Sequence, residues 1–192
     1  LFKPGDRVFY AGSFIRSGSD GEYQLVDERI VGHAPETLKD NEAAAMPLTS
    51  LTAYEALFEQ MDLTWNQENN QHKTILIING AGGVGSVATQ LAHLAGLTVI
   101  ATASRPDSIK WTQDHGADYV VNHREDLVKQ VRKLGFKYVD YILELKDLDG
   151  HWKEMCELIK PEGHIVSITE NHRPINLRLL TKKKAHFSWE WM

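Results

Sequence analysis

The chain has 192 residues, of which 42% are hydrophobic and 24% charged, the ordinary balance of a soluble globular protein. A net charge of -5 and a pI near 6.0 argue against nucleic acid as the main partner. No apolar run approaches the roughly 20 residues of a transmembrane helix, so no membrane association is expected. The single cysteine, Cys156, excludes an internal disulfide and a metal site built from several cysteines. Because no signal peptide or lipidation motif is present, we expect a cytoplasmic protein.

The first part of the chain predicts short strands. One is expected at residues 7–10, after a Pro-Gly-Asp turn, and a loop rich in Gly and Ser covers residues 12–21. Further strands are expected at residues 23–26 and 29–31, and a helical pattern follows, with apolar residues at spacings of three and four. The polar stretch 62–73 predicts an exposed connection.

Strands and short helices alternate through the rest of the chain. Six strands are predicted, at residues 74–79, 97–103, 119–121, 138–143, 164–169 and 185–191. The first is a β-branched apolar run, which is typical of a parallel strand buried on both faces. The alternation predicts an α/β fold with a doubly wound parallel sheet of the Rossmann type. The three lysines at residues 182–184 are the only basic run and predict a solvated turn.

A glycine-rich turn lies between the first of these strands and an amphipathic helix. It has the sequence Gly80-Ala81-Gly82-Gly83-Val84-Gly85, which fits the pattern G-x-G-x-x-G. Gly80 permits the tight turn, Gly82 lets the backbone approach a pyrophosphate, and Gly85 lets the helix pack close to the strand. The helix N-terminus adds free N–H groups and a positive dipole end. We therefore predict a dinucleotide site, with a methyltransferase loop and a purely structural turn as the alternatives.

The end of the second strand indicates which dinucleotide is bound. An NAD site favours an acidic residue roughly 20 positions past the motif, where it binds the ribose hydroxyls. Here the strand is followed by Ser104 and Arg105, and the first acidic residue is Asp107. Ser104 can hydrogen-bond a 2′-phosphate, and Arg105 offers a planar fork for it. We therefore predict NADPH as the cofactor, while the alternative for Arg105 is an ordinary solvated residue at a helix start.

Several segments, in order along nearly the whole chain, resemble the medium-chain dehydrogenase/reductase superfamily. They are residues 4–8 (Pro-Gly-Asp-Arg-Val), 42–48 (Glu-Ala-Ala-Ala-Met-Pro-Leu), 51–54 (Leu-Thr-Ala-Tyr) and the glycine turn. Two later segments are similar to its quinone-oxidoreductase-like branch, namely residues 116–126 and 158–166. The end of the chain is similar to a bacterial subgroup labelled zinc-type alcohol dehydrogenase-like.

The resemblance implies two domains within a longer protein. Residues 1–46 would be part of a GroES-like β domain that carries catalytic residues, and residues 47–192 would form an NADP-binding Rossmann domain. Family members have further chain on both sides of this stretch, and the preceding part supplies much of the substrate pocket. Their last sheet strand pairs with its twofold mate, so we expect a homodimer with a contact near Trp189.

The resemblance also implies roles for cofactor-binding residues. Residues 81–84 would wrap the pyrophosphate, while Ser104 and Arg105 would bind the 2′-phosphate. His123 replaces a tyrosine that many relatives place beside the adenosine end, where it could stack or hydrogen-bond. Leu143 and Ser167 end two strands and would line the cofactor crevice.

Catalysis is expected to proceed without zinc. Zinc-dependent relatives place a cysteine ligand where this chain has Leu48, which cannot hold a metal, and the nine histidines show no H-x-x-x-H spacing. Thr52 corresponds to a threonine near the nicotinamide and is the candidate catalytic residue, because charge developing on oxygen must then meet hydrogen-bond donors.

The expected function is therefore NADPH-dependent hydride transfer to a small-molecule quinone, enone or related carbonyl. A zinc-dependent alcohol dehydrogenase is one alternative. The other is a non-catalytic protein that binds or senses NADPH.

Overall fold

The computed structural model describes residues 1–191 and divides into two compact units, Leu1–Leu51 and Thr52–Met192. The elements of the first unit are strand β1 (Val8–Phe9), a 3-10 turn (Glu28–Ile30), strand β2 (Gly32–His33) and helix α1 (Asp40–Ala44). The two strands pair antiparallel. Helix α2 (Pro47–Tyr54) contains the boundary between the units and is prolonged by a π-helical turn, Glu55–Gln60.

Two of the strands predicted for the first unit were wrong. Residues 23–26 have no regular secondary structure, and residues 29–31 begin in the 3-10 turn. The side chain of Asp27 explains the turn, because its Oδ1 accepts the backbone N–H of Arg29 at 3.0 Å and its carboxylate pairs with the Arg29 guanidinium. Such local side-chain hydrogen bonds compete with the ladder of a strand.

The second unit is built on a six-stranded sheet. Its strands are β3 (Thr74–Ile78), β4 (Thr98–Thr102), β5 (Tyr119–Val121), β6 (Val139–Glu144), β7 (Ile159–Ser167) and β8 (His186–Trp189). Their order is β5-β4-β3-β6-β7-β8, and neighbouring strands pair parallel throughout. The chain winds from β3 to one edge, returns to β6 and winds to the other edge, which leaves a switch point between β3 and β6. The predicted doubly wound Rossmann sheet is confirmed.

Helices connect these strands and cover the sheet. They are α3 (Gln67–Asn70), α4 (Gly83–Leu94), α5 (Pro106–Asp114), α6 (Leu127–Lys133), α7 (Leu148–Leu158) and α8 (Arg178–Thr181). Successive residues of β3 alternate between two buried clusters. Ile75 and Ile77 belong to the cluster with α4, and Leu76 and Ile78 to the cluster with α6 and α7. Within residues 1–191, none of the helices combines the length and apolar character needed to cross a membrane.

The connection before β3 is more firmly attached than its polar sequence predicted. Asn70, in α3, is completely buried, and its side-chain amide donates to the carbonyls of Thr64 at 2.8 Å and Ala95 at 2.9 Å. Ala95 caps the end of α4, so Asn70 ties this connection to the helix that follows the glycine turn. The prediction of an exposed connection was wrong at this residue.

The prediction of a solvated lysine turn was wrong for Lys183. Its Nζ donates to the carbonyl oxygens of Cys156, Glu157 and Ile159 at 2.8, 2.9 and 2.6 Å. These oxygens lie where α7 ends and β7 begins, a place where a helix leaves carbonyls without intrahelical partners. Lys183 therefore caps α7, and its charge also suits the negative end of the helix dipole.

Candidate dinucleotide-binding site

The glycine turn brings α4 into close contact with the end of β3. A Cβ on Gly85 would lie 2.2 Å from the carbonyl oxygen of Asn79, and a Cβ on Gly80 would lie 2.7 Å from the Cβ of Ala101. Both distances are far inside van der Waals contact, so these two positions require glycine. Asn79 has a φ of +69°, a conformation in which asparagine is tolerated better than most residues. The predicted structural roles of Gly80 and Gly85 thus have a direct geometric cause.

The N-terminus of α4 is suited to an anion. Gly82 is the N-cap and has no side chain to occupy the first-turn N–H groups. A Cβ at Gly82 would lie 2.7 Å from Asn79 Nδ2, so a residue with a side chain at this position would crowd Asn79. These N–H groups and the helix dipole fit the pyrophosphate of a dinucleotide.

A pocket of about 230 Å³ lies beside this turn, at the carboxyl ends of β3, β4, β5 and β6. Its lining residues are Asn79, Ala81, Gly82, Thr102, Ala103, Ser104, Arg105, Ser108, His123, Arg124 and Lys146. Three of them are cationic, and no carboxylate lines the pocket within residues 1–191. Arg105 is exposed and makes a single long hydrogen bond, from Nη2 to Ser108 Oγ at 3.4 Å, so its guanidinium is available to a ligand. The arrangement is suited to an anion.

His123 is held beside the pocket by a short chain of hydrogen bonds. The fully buried hydroxyl of Thr102 accepts the N–H of Asn79 at 2.8 Å and lies 3.1 Å from His123 Nδ1. Burial, followed by nearby positive charges of which Lys146 is the largest contributor, lowers the pKa of His123. The ring is therefore neutral at pH 7 and can offer Nε2 to an adenosine ribose or phosphate as one hydrogen-bonding partner.

A buried carboxylate organises the far side of the pocket. Glu144, at the end of β6, is completely buried. Its Oε1 accepts the N–H groups of Lys146 and Asp147, each at 2.5 Å, and its Oε2 accepts the hydroxyls of Ser167 at 2.8 Å and Thr169 at 2.5 Å. Four donors compensate the burial of this charge. The carboxylate thereby joins the turn after β6 to the end of β7.

The structure brings together five of the predicted site residues and separates others from them. The pocket gathers Ala81, Gly82, Ser104, Arg105 and His123, while Gly80, Gly83, Val84 and Gly85 form the adjoining turn and first helical residues.

The remaining predicted site residues do not line this pocket. Leu143 is completely buried in the core, and the buried hydroxyl of Ser167 is donated to Glu144, so only their backbones could contact a cofactor. Thr52 is 8% exposed and lies in α2. Their roles stay predictions.

Sequence reasoning missed Arg124, Lys146 and Glu144. Arg124 and Lys146 follow different strands, and their convergence depends on the strand order. Glu144 carried a usable signal, since an acidic residue at the end of an otherwise apolar strand is buried only when donors surround it.

A metal site is not formed by the described part of the chain. Among residues 1–191, no three His, Cys, Asp or Glu side chains are grouped so that they could hold a metal ion. Leu48, where zinc-dependent relatives are expected to have a ligand, is 54% exposed in α2.

A doubly wound sheet with a glycine turn and a pocket lined by basic residues at its switch point defines a Rossmann-class domain. Residues 83–191 match the family model described as zinc-binding dehydrogenase. The chain therefore belongs to this family, within the medium-chain dehydrogenase/reductase superfamily, as the sequence motifs predicted.

Individual relatives agree with this assignment. A zinc-type alcohol dehydrogenase-like protein of Staphylococcus aureus is 49% identical over 192 residues, which is 100% of this chain and 57% of the relative. A crystal structure from Rhizobium etli, provisionally named a zinc-dependent alcohol dehydrogenase, is 43% identical with a TM-score of 0.91 and covers 100% of this chain and 56% of its own. The quinone oxidoreductase of Escherichia coli, solved in complex with NADPH, is 25% identical with a TM-score of 0.71, over 83% of this chain and 49% of its own. This chain thus spans little more than half the length of these relatives.

Proposed function

We propose that the full-length protein is an NADPH-dependent oxidoreductase that reduces a quinone, an enone or a related carbonyl without zinc. The observation that carries this proposal is the pocket beside the glycine turn, whose charged lining residues are all basic. Bound NADPH would supply the hydride, and the protein would supply position and electrostatics.

The preference for NADPH follows from the charge of the adenosine end. A 2′-phosphate carries between one and two negative charges near neutral pH and needs donors that can meet several oxygens. Arg105 and Arg124 follow β4 and β5, next to the place where Rossmann domains bind the adenosine ribose. A carboxylate there would instead accept the ribose hydroxyls and repel the phosphate. The complex of the similar Escherichia coli quinone oxidoreductase with NADPH supports the same choice.

The nicotinamide end is assigned by the resemblance. We infer that Thr52 donates a hydrogen bond to the oxygen on which charge develops, and that the backbones of Leu143 and Ser167 border the crevice. Residues 1–46 are proposed to be part of a GroES-like domain, and residues 47–192 the NADP-binding domain. The proton donor is proposed to lie in the part of the protein that precedes this chain.

The cofactor assignment is tested by titrating the full-length protein with NADPH and NADH, followed by nicotinamide fluorescence. NADPH should bind at least about tenfold more tightly, which corresponds to about 1.4 kcal/mol. Oxidation of NADPH is then measured with a panel of quinones, enones and aldehydes. Equal affinity for both cofactors would contradict the cofactor assignment. Tight NADPH binding without turnover would favour a binding or sensing protein.

A zinc-dependent alcohol dehydrogenase is the second candidate, because the matching family is described as zinc-binding. Metal analysis of the full-length protein separates the two. We expect well under one zinc per chain and activity that survives chelators, because Leu48 stands where the resemblance places a ligand. Stoichiometric zinc that is lost together with activity would support the second candidate.

A further inference from the structure

Lys146 reaches the pocket from the opposite side of the glycine turn to Arg105. It follows β6 and Arg105 follows β4, and these two strands flank β3 on its two sides. The turn after β3 contributes Ala81 and Gly82 to the same pocket. In this fold that turn faces the pyrophosphate, whereas the residues after β4 face the adenosine ribose. Lys146 therefore lies beside the position of the pyrophosphate.

The ammonium of Lys146 lacks a counterion within the described residues. The ion pairs formed by residues 1–191 do not include it, and its side chain is exposed. It shares the pocket with two further cations, Arg105 and Arg124. Like charges gathered in one concave site raise its positive potential, and a bound anion would compensate them.

The turn that carries Lys146 is fixed in place. Glu144 accepts the backbone N–H groups of Lys146 and of the next residue, and its second oxygen is held by Ser167 and Thr169. The backbone of Lys146 is therefore tied to the ends of two adjacent sheet strands. This restraint reduces the conformational freedom that the lysine would lose when it binds a ligand.

We propose that Lys146 binds the pyrophosphate of the dinucleotide and that Glu144 is its positioning residue. The inference rests on the proposed function, because it takes the ligand to be a nicotinamide dinucleotide. The N–H groups of α4 would contact one part of the pyrophosphate and the Lys146 ammonium another. Because NADH and NADPH share this group, Lys146 sets the affinity for both cofactors, whereas Arg105 discriminates between them.

The test compares dissociation constants for NADPH and NADH in the full-length protein and its Lys146→Met variant, followed by nicotinamide fluorescence. We expect both constants to rise by a similar factor of about ten, the usual effect of losing one charge-assisted contact. The matched control is Lys153→Met, which removes the same charge from an exposed position on α7 outside the pocket, and it should leave both constants unchanged. A loss confined to NADPH would place Lys146 on the 2′-phosphate and overturn the inference, as would no change for either cofactor.

The positioning role of Glu144 is tested with the Glu144→Gln variant and with the double variant that combines Glu144→Gln and Lys146→Met. Urea unfolding first establishes that both variants fold. We expect Glu144→Gln to weaken the binding of both cofactors. We also expect Lys146→Met to reduce the affinity less when Glu144→Gln is already present than it does in the wild-type protein. Fully additive losses in this double-mutant cycle would overturn the positioning role. A wild-type protein that prefers NADH would contradict the proposed function but not the role of Lys146, because Lys146→Met should still weaken NADH binding.

Discussion

We propose that cofactor discrimination in this protein depends on Arg105. It is the N-cap of α5, three residues after the end of β4, and its guanidinium makes one long hydrogen bond to Ser108. Arginine presents a planar fork of donors that matches phosphate oxygens better than a lysine ammonium does. Because no carboxylate lines the pocket within residues 1–191, the guanidinium is not neutralised there before a ligand arrives.

Arg105→Ala should therefore weaken NADPH binding much more than NADH binding. The expected difference is on the order of 1 to 3 kcal/mol, the usual value of a hydrogen bond to a charged group. Titration of the variant with both cofactors measures it, and NADH serves as the internal control for misfolding. Equal losses for the two cofactors would show that Arg105 does not contact the 2′-phosphate.

The pocket residues predicted from sequence came from the glycine motif, from the end of the next strand and, for His123, from the family resemblance. The glycine turn, Ser104 and Arg105 follow two consecutive strands, and motif spacing was enough to place them. Lys146 lies 41 positions after Arg105 and enters the pocket only because β6 pairs with β3 on the side away from β4. The acceptor of the buried Ser167 hydroxyl was not evident from the sequence for a related reason, since Glu144 belongs to another strand.

At the scale of elements, Lys183 joins three parts of the second unit. It belongs to the turn between α8 and β8, and its Nζ donates to three carbonyls at the junction of α7 and β7. Burial lowers the pKa of Lys183, and the carbonyl oxygens compensate the charged form. Removing the ammonium would take a charged donor away from these three carbonyls in a partly buried place.

Lys183→Met should lower the free energy of unfolding by about 1 to 3 kcal/mol, because hydrogen bonds to a charged donor are lost while the aliphatic stem is retained. Urea denaturation of the variant and the wild type measures the difference. The control is Lys182→Met, which removes the same charge from the adjacent exposed residue and should change stability by less than about 0.5 kcal/mol. If both variants lose the same stability, Lys183 is not a cap.

Helices and strands whose apolar residues recur at regular spacing were predicted well. Local structures that depend on a single polar side chain were not. The strand at Thr74–Ile78 and the helix at Gly83–Leu94 follow from apolar patterns that the core enforces. The Asp27 turn, the buried Asn70 and the Lys183 cap each depend on one side chain finding backbone partners. Such partners are visible only once the fold is known.

At the scale of the whole molecule, the sheet ends in an aromatic edge strand. Among the described strands, β8 pairs only with β7, so the hydrogen-bonding groups of its other edge lack a strand partner. Phe187 packs edge-on against Trp152 of α7, with ring centroids 5.1 Å apart, and is therefore partly covered. Trp189 is 45% exposed and Trp191 is 69% exposed. An exposed edge of this kind favours association unless something covers it.

We propose that the full-length protein forms a homodimer in which β8 pairs with its twofold mate near Trp189. The alternative is that another segment of the same polypeptide packs over the exposed tryptophans and covers the edge strand. Sedimentation of the full-length protein at tens of micromolar should show a dimer, and Trp189→Lys should shift it towards monomer because a charge would be buried at the twofold contact. The matched control is Trp111→Lys, which makes the same change at a residue that is 49% exposed on α5, and it should leave the dimer intact. A wild-type monomer that Trp189→Lys leaves unchanged would contradict the dimer and favour intramolecular cover.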